Sequence, residues 1–203
     1  MVKETAPAKF DESIDLALKL GVDPKKHSIR GTVLLPGGSG KNKRVAVIAK
    51  PDKVAEAEAA GAVAAGGDEL IQKISGGWLD FDVIISTPDM MPAVGKLGKL
   101  LGTKGLMPNP KSGTVTNEVG KTVKEFQGAK VEFKMDKNGA LHMLLGKVSF
   151  EPKALEDNFR ASLSAVTHLK PSGLKGAFVE SITLSSTMGP GIKIDPKVAL
   201  DVK

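Results

Sequence analysis

Four hydroxyl side chains, Ser181, Thr183, Ser185 and Thr187, recur at every second position near the end of this 203-residue chain. Met188-Gly189-Pro190-Gly191 follows them. No acidic residue occurs from Ser181 to Ile194, where Lys193 is the only charge. Side chains of a strand alternate between faces, so Ile182 and Leu184 belong to a core face and the hydroxyls to the other. Two glycines and a proline then turn the chain and leave backbone groups outside a sheet ladder. Short hydroxyls, exposed N–H groups and no carboxylate suit a phosphate-rich partner, although an ordinary strand ending in a turn needs no ligand at all.

A second candidate surface spans residues 90–117, which contain no acid but carry Lys96, Lys99, Lys104 and Lys111 among regularly placed glycines. Such a backbone can approach an anion closely, and a solvated basic face accounts for it equally well. Lys41 ends a third glycine-rich run, Pro36-Gly37-Gly38-Ser39-Gly40-Lys41. A Walker-type phosphate loop ending there needs glycine at 35 and serine or threonine at 42, but Leu35 and Asn42 occupy those positions. The run therefore reads as a flexible hinge or a basic loop facing RNA.

Catalytic constellations are absent from the sequence. His27, His142 and His168 stand far apart with no metal-binding spacing, and without cysteine there is neither a thiol nucleophile nor a zinc knuckle. No G-x-S-x-G elbow occurs, and Asp80 and Asp82 before an apolar run form a common loop pair. The expectation is a protein that is not an enzyme and uses no cofactor or metal. Its net charge of +6 and pI near 9.4 favour an acidic partner, most often nucleic acid. With no Tyr and one Trp, a base-stacking platform is poorly supported, so phosphate and shape contacts are the expected mode. No apolar run approaches the ~20 residues that span a bilayer, the start lacks a secretory apolar region, and the absence of cysteine fits a reducing compartment.

The elements that must position these residues change character along the chain. Alternation predicts a strand over 9–20 with Phe10, Ile14, Leu16, Leu18 and Leu20 inward and Lys9, Asp11, Ser13 and Asp15 outward, then a second strand over 29–35. After the glycine joint, residues 44–49 form a continuous apolar strand, followed by an alanine-rich helix over 52–60, a short helix capped by Asp68 through Ile74, and a buried strand over 81–86. That succession implies a small parallel α/β unit, although no G-x-G-x-x-G fingerprint follows either strand. A helix over 114–127 with Asn117 as cap comes next, then strands over 130–135 and 140–145 joined by Asp136-Lys137-Asn138-Gly139, a hairpin signal. Pro152 opens a helix to Leu169, which Pro171 and Gly173 end.

Half-buried sheet, buried parallel sheet and half-buried sheet again indicate one domain inserted into another. The expected fold is α/β (α+β) in two domains. A discontinuous sheet-plus-helix split βαβ domain covers 1–41 and 129–203, and an inserted Rossmann-like parallel α/β domain covers 42–128. Residues 42–128 hold 11 Lys+Arg against 10 Asp+Glu and the remainder holds 18 against 13, so the basic excess lies on the discontinuous domain.

Three motifs in order resemble one family closely: Gly76-Gly77-Trp78-Leu79-Asp80-Phe81-Asp82, Leu106-Met107-Pro108-Asn109-Pro110-Lys111 and Ser185-Ser186-Thr187-Met188-Gly189-Pro190-Gly191. Lys9-Phe10-Asp11-Glu12, Asp23-Pro24-Lys25-Lys26 and Arg30-Gly31-Thr32-Val33 extend the match to nearly the whole chain. The sequence is similar to the bacterial-type large-subunit ribosomal protein L-one family, the proteins of the mobile ribosomal stalk. The resemblance implies a discontinuous domain that binds large-subunit rRNA and an inserted lid on a double hinge. It further implies help in releasing deacylated tRNA from the exit site, and repression of translation through a similar fold in the protein's own mRNA. The partners so implied are rRNA, exit-site tRNA and that mRNA, with no membrane, for a protein monomeric within a cytoplasmic or organellar ribosome. By the same resemblance the RNA contacts are Lys9, Phe10, Ser13, Ser181, Thr183, Ser185, Thr187, Met188 and Gly189. Secondary RNA or tRNA contacts are Lys41, Lys96, Lys99, Lys104 and Lys111. Members commonly begin with a further helical segment before the counterpart of Lys3, which is missing here. The family's usual Pro-His-Gly-Thr-Gly-Lys is replaced by Pro36-Gly37-Gly38-Ser39-Gly40-Lys41, whose extra glycine is expected to loosen the first crossing. Lys104 stands where the family has arginine and gives up bidentate phosphate geometry.

Overall fold

A computed structural model describes residues 2–24, 27–172, 174 and 176–201. Lys25 and Lys26 of one motif, and the predicted helix stop Gly173, lie outside the described residues. The elements in chain order are Ser13–Leu20 (β1), Arg30–Leu34 (β2), Val45–Ile48 (β3), Pro51–Ala59 (α1), Ala64–Gly66 (β4), Asp68–Ser75 (α2), Val83–Ser86 (β5), Met91–Gly95 (α3), Gly98–Thr103 (α4), Val119–Gly128 (α5), Lys130–Lys134 (β6), Ala140–Lys147 (β7), Pro152–His168 (α6), Val179–Ser186 (β8), Ile192–Ile194 (β9) and Pro196–Asp201 (α7). They form two compact units, Met1–Gly40 with Ala129–Lys203, and Lys41–Gly128.

In the first unit an antiparallel sheet runs β7-β1-β8-β9, and β2 pairs with β6 in a two-stranded ribbon. The period-two pattern of β1 is realised from Ser13 onward: Ile14, Leu16, Leu18 and Leu20 are buried, while Asp15 and Lys19 are exposed. Leu163 and Val166 of α6 and Val33, Val131 and Phe133 of the ribbon join them in one core. Each such buried aliphatic side chain stabilises the fold by about 1.5–3 kcal/mol relative to an exposed one. The expected start of this strand at residue 9 is wrong. Phe10 is 58% exposed instead of inward. The chain bends at Lys9 and Phe10, just before Asp11, whose carboxylate takes the Ser149 N–H and hydroxyl at 3.0 and 2.9 Å. Between β6 and β7 the predicted turn forms, with Gly139 at φ 75°. The Ala140 and Asn138 N–H groups hold the Asp136 carboxyl below the usual carboxylate range.

The second unit is a parallel sheet of order β4-β3-β5. All four residues of β3 are buried because both faces are covered. Ala46, Ile48 and Ile84 pack on α2, α3 and α4, whereas Val45, Val47 and Ile85 pack on α1 and α5. This is a small three-layer α/β unit, and the chain as a whole is α/β. Several local expectations shift. Ala64–Gly66 forms a strand that its small side chains did not announce. Asp68 is the first helical residue rather than the cap; Gly67 holds the cap position without a side-chain bond. Helix α5 begins at Val119, and the Thr116 hydroxyl, not Asn117, accepts the Glu118 N–H at 3.1 Å. The Gly/Lys segment over 90–117, to which the sequence assigned no element before residue 114, contains α3 and α4.

The glycine joint is held in place rather than loose. Asn158 of α6 is fully buried, accepts the Gly37 N–H at 2.8 Å and donates to the carbonyls of Gly38 and Leu145 at 3.0 and 2.7 Å. A Cβ on Gly37 would lie 3.0 Å from the Ala154 side chain and 3.2 Å from the Asn158 amide oxygen. The extra glycine therefore admits close approach of the joint to α6; it does not free it. Replacing Asn158 by Ala strips partners from three backbone groups, and we expect a loss of about 2–4 kcal/mol in urea unfolding of the first unit. The Gly37 amide should then exchange with solvent on a shorter timescale, read by hydrogen exchange.

Candidate nucleic-acid interface

Strand β1 lies between β7 and β8, and its register with β8 sets the outward face. Asp15 is opposite Ser185, Ala17 opposite Thr183 and Lys19 opposite Ser181. On the other side Ala17 faces His142, and Thr183 faces Lys193 of β9. The predicted residues Ser181, Thr183 and Ser185 thus share one sheet surface with Lys19, His142 and Lys193, all three exposed. None of the three was predicted from the sequence as an RNA contact. The alternation that marks Lys19 and Lys193 as outward was readable, but their meeting required the register.

At the end of this face the two ends of the chain are tied together. The Thr187 N–H donates to the Ser13 carbonyl at 3.0 Å, and the Thr187 hydroxyl accepts the Ser13 N–H at 3.0 Å. Met188 is 66% exposed beside this junction. Its N–H donates to the Glu12 carboxylate at 2.9 Å, and the same carboxylate takes the Ala8 N–H at 2.8 Å. Lys9 and Phe10, both exposed, follow directly on Ala8. Glu12 is 1% exposed. The Met188 N–H is the main influence holding its carboxyl below the usual range, opposed by burial and aided by Ala8 and the Ser186 hydroxyl. The expectation of a turn remote from any carboxylate is therefore incorrect: the acid arrives from 176 residues away in the chain. Its signal was present in the sequence, because Glu12 has the inward parity of Ile14 and Leu16. Gly189 completes the turn where a Cβ would come within 2.3 Å of the Ser186 hydroxyl oxygen.

The secondary candidates lie in the other unit. Lys41, Lys96, Lys99 and Lys104 are exposed, and the side chain of Lys111 lies outside the described residues. Among the described residues, no ion pair involves Lys96, Lys99 or Lys104. Gly95, Gly98 and Gly102 around them have open space where a Cβ would be, so packing within the unit does not require glycine at any of the three.

A crevice of about 720 Å³ opens at the carboxyl ends of the parallel strands, lined by Lys50, Gly66, Gly67, Asp68, Glu69 and Glu58 among others. A nucleotide phosphate binds such a place through helix N-termini. Here Asp52 stands in the first turn of α1 and Asp68 and Glu69 in that of α2, so negative charge already occupies both positions. Lys50 is paired with Asp89 at 2.7 Å. Asp80 and Asp82 pair with Arg44 at the entry to β3, and the Arg44 N–H lowers the Asp82 carboxyl most. They form a structural clamp with no catalytic geometry.

Comparison with known proteins shows the family. The family model described as the Ribosomal protein L1p/L10e family matches residues 2–190. A protein of Protochlamydia amoebophila named large ribosomal subunit protein uL1 is 53% identical over 197 residues, covering 96% of this chain and 84% of the relative. Proteins of the same name from Corynebacterium glutamicum and a Nocardioides species are each 52% identical. The first covers 98% of this chain and 85% of the relative, the second 97% and 82%. Matched by the family model over nearly all its length and by relatives at over half identity, the chain belongs to the Ribosomal protein L1p/L10e family.

Proposed function

We propose that the chain is a non-enzymatic constituent of the large ribosomal subunit that binds large-subunit rRNA through the outward face of β1 and β8 and the turn at 187–191. Family membership supports the ribosomal role, and the relatives' printed name supports the large subunit. The observation that carries the binding reading is the direct junction of Ser13 with Thr187, which gathers Lys9, Phe10, Thr187 and Met188 at one end of the sheet. Exposed Met188 and Phe10 flanked by hydroxyls form a surface with no internal packing role. Two finer roles belong to the same proposal: assistance in releasing deacylated tRNA from the exit site, and repression of the protein's own mRNA through a similar RNA fold. Lys96, Lys99 and Lys104, in no ion pair among the described residues and beside glycines with open space around them, support a second RNA or tRNA contact on the inserted unit. The protein's place is then the ribosome; among the described residues, no helix is long and apolar enough to cross a membrane.

Binding of the chain to a transcript of the large-subunit stalk region, against duplex DNA as competitor, tests the reading. Thr187→Val and Met188→Asp should each weaken RNA binding at least tenfold with the melting temperature kept within a few degrees. Unchanged affinity in both removes the proposed site, and preference for DNA removes the proposed partner. The logarithm of affinity should fall with the logarithm of salt by about 0.7–0.9 per phosphate neutralised. Lys96→Ala with Lys99→Ala should leave stalk-RNA affinity unaltered and reduce tRNA binding.

Acidity supplies a further check. Because the folded state lowers the Glu12 carboxyl, its contribution is complete above the unfolded value of about 4.3 and is lost as pH falls through the folded value. The melting temperature of Glu12→Gln should therefore lie below wild type at pH 7, and the gap should close on titration toward pH 3. A gap that is constant over that range is the contrary result.

A further inference from the structure

Strand β2 runs antiparallel to β6 without a bulge, from Arg30 opposite Lys134 to Leu34 opposite Lys130. Among the described residues, no strand pairs with its other edge. The bonds at the two ends of the ribbon fix which backbone groups face β6: the Met135 N–H donates to the Ile29 carbonyl at 2.8 Å, and the Leu35 N–H to the Ala129 carbonyl at 2.9 Å. Successive residues of a strand direct their backbone groups to opposite edges, so Gly31 and Val33 also face β6 and Arg30, Thr32 and Leu34 face away. Among the described residues, the N–H groups of those three have no hydrogen-bond partner. They and their carbonyls form a row of donors and acceptors repeating at about 6.8 Å, the template onto which a further strand pairs.

The two faces of this edge differ in chemistry. On the inner face a Cβ at Gly31 would lie 3.0 Å from Leu169, which is 40% exposed and leaves apolar surface beside the strand. On the outer face Arg30 and Lys134 stand directly opposite each other in a pair without backbone bonds, where side chains come closest. Neither is in an ion pair among the described residues. Two cations so placed repel until an anion joins them. Leu34, 55% exposed, ends the outer row. We propose that the free edge of β2 is a docking site for an extended peptide segment of a partner protein, which adds as a strand with acidic residues beside Arg30 and Lys134 and apolar residues beside Leu169. Main-chain bonds supply affinity in this mode and the alternating side chains supply selectivity. RNA fits the edge less well, because its phosphates would meet the carbonyls of the row and the exposed Glu132 opposite Thr32. A second copy of the chain would bring the same cations to the same face. The RNA surface at the other sheet plays no part in this docking.

Titration of the full chain with a blocked peptide of alternating Glu and Val, read by amide hydrogen exchange and by affinity, tests the site. Exchange at Thr32 and Leu34 should slow roughly tenfold or more on binding. Thr32→Pro removes the central donor where the N–H has no partner in the fold and glycine precedes, so proline is tolerated there. Its melting temperature should stay within a few degrees of wild type and its affinity for the peptide should fall at least tenfold. On the peptide side, N-methylation of alternate amides should abolish binding in one parity and spare it in the other, a result that needs no variant to fold. Arg30→Glu should weaken the Glu–Val peptide and favour a Lys–Val peptide. Unaltered exchange at Thr32 and Leu34, or equal affinity in folded Thr32→Pro, overturns the proposal. So does an Arg30→Glu variant that loses stalk-RNA affinity and keeps the peptide, which gives the face to RNA. Concentration-dependent dimers of the chain that Thr32→Pro abolishes also overturn it, since the occupant is then a second copy.

Discussion

The pairing of β1 with β8 is the constraint on which the rest of the first unit depends. It joins Ile14 to Ser186 and Lys19 to Ser181, residues more than 160 positions apart, and every other feature of the proposed interface follows from it. The pairing brings Glu12 under Met188, closes the Ser13–Thr187 junction and creates a surface neither segment has alone. A buried carboxylate is costly unless its oxygens are satisfied. Two N–H groups from opposite ends of the chain satisfy it here, so burying the charge is tolerable only when both ends are in place. The polar contact thereby reports correct pairing as well as stabilising it.

Around this constraint the molecule divides its tasks. The β8 strand keeps Ile182 for the core and leaves Ser181 outside, as period-two geometry requires. The inserted unit has its own two-sided core. Its crevice at the strand ends has the place of a nucleotide site but the charge to refuse one, which illustrates how fold and function separate. Asn158 shows a comparable economy: one amide side chain closes three backbone bonds and fixes a glycine-rich segment that sequence composition alone marks as slack.

Much of the fold was legible because local rules sufficed. Leu16, Leu18 and Leu20 alternate cleanly with polar residues, Asn138-Gly139 has the chemistry of a tight turn, and Leu155, Phe159, Leu163 and Val166 recur at helical spacing on α6. Other features depended on partners that composition cannot name. Ala64-Ala65-Gly66 becomes a strand because β3 offers it a parallel edge, and nothing in two alanines and a glycine predicts that. Phe10 continues the apolar parity of β1 yet faces water, where the chain bends just before Asp11. Hydroxyls at 181, 183 and 185 announced an outward face, but which donors of the following turn stay free is decided by Glu12 and Ser13. The site was visible in outline from its residue types, and its polarity was hidden in long-range bonds.

The position of β1 in the middle of its sheet also orders events during synthesis. Its neighbours β7 and β8 are made later, after the whole inserted unit has emerged, and β1 must wait for them with Leu16, Leu18 and Leu20 unsatisfied. The inserted unit, built from nearby strands and helices, can close on its own while translation continues. The surface on which Ser13 meets Thr187 therefore comes into being only after β8 has been made. A growing chain that has not reached Thr187 has no such surface, so the RNA contact proposed for this face must wait for that residue.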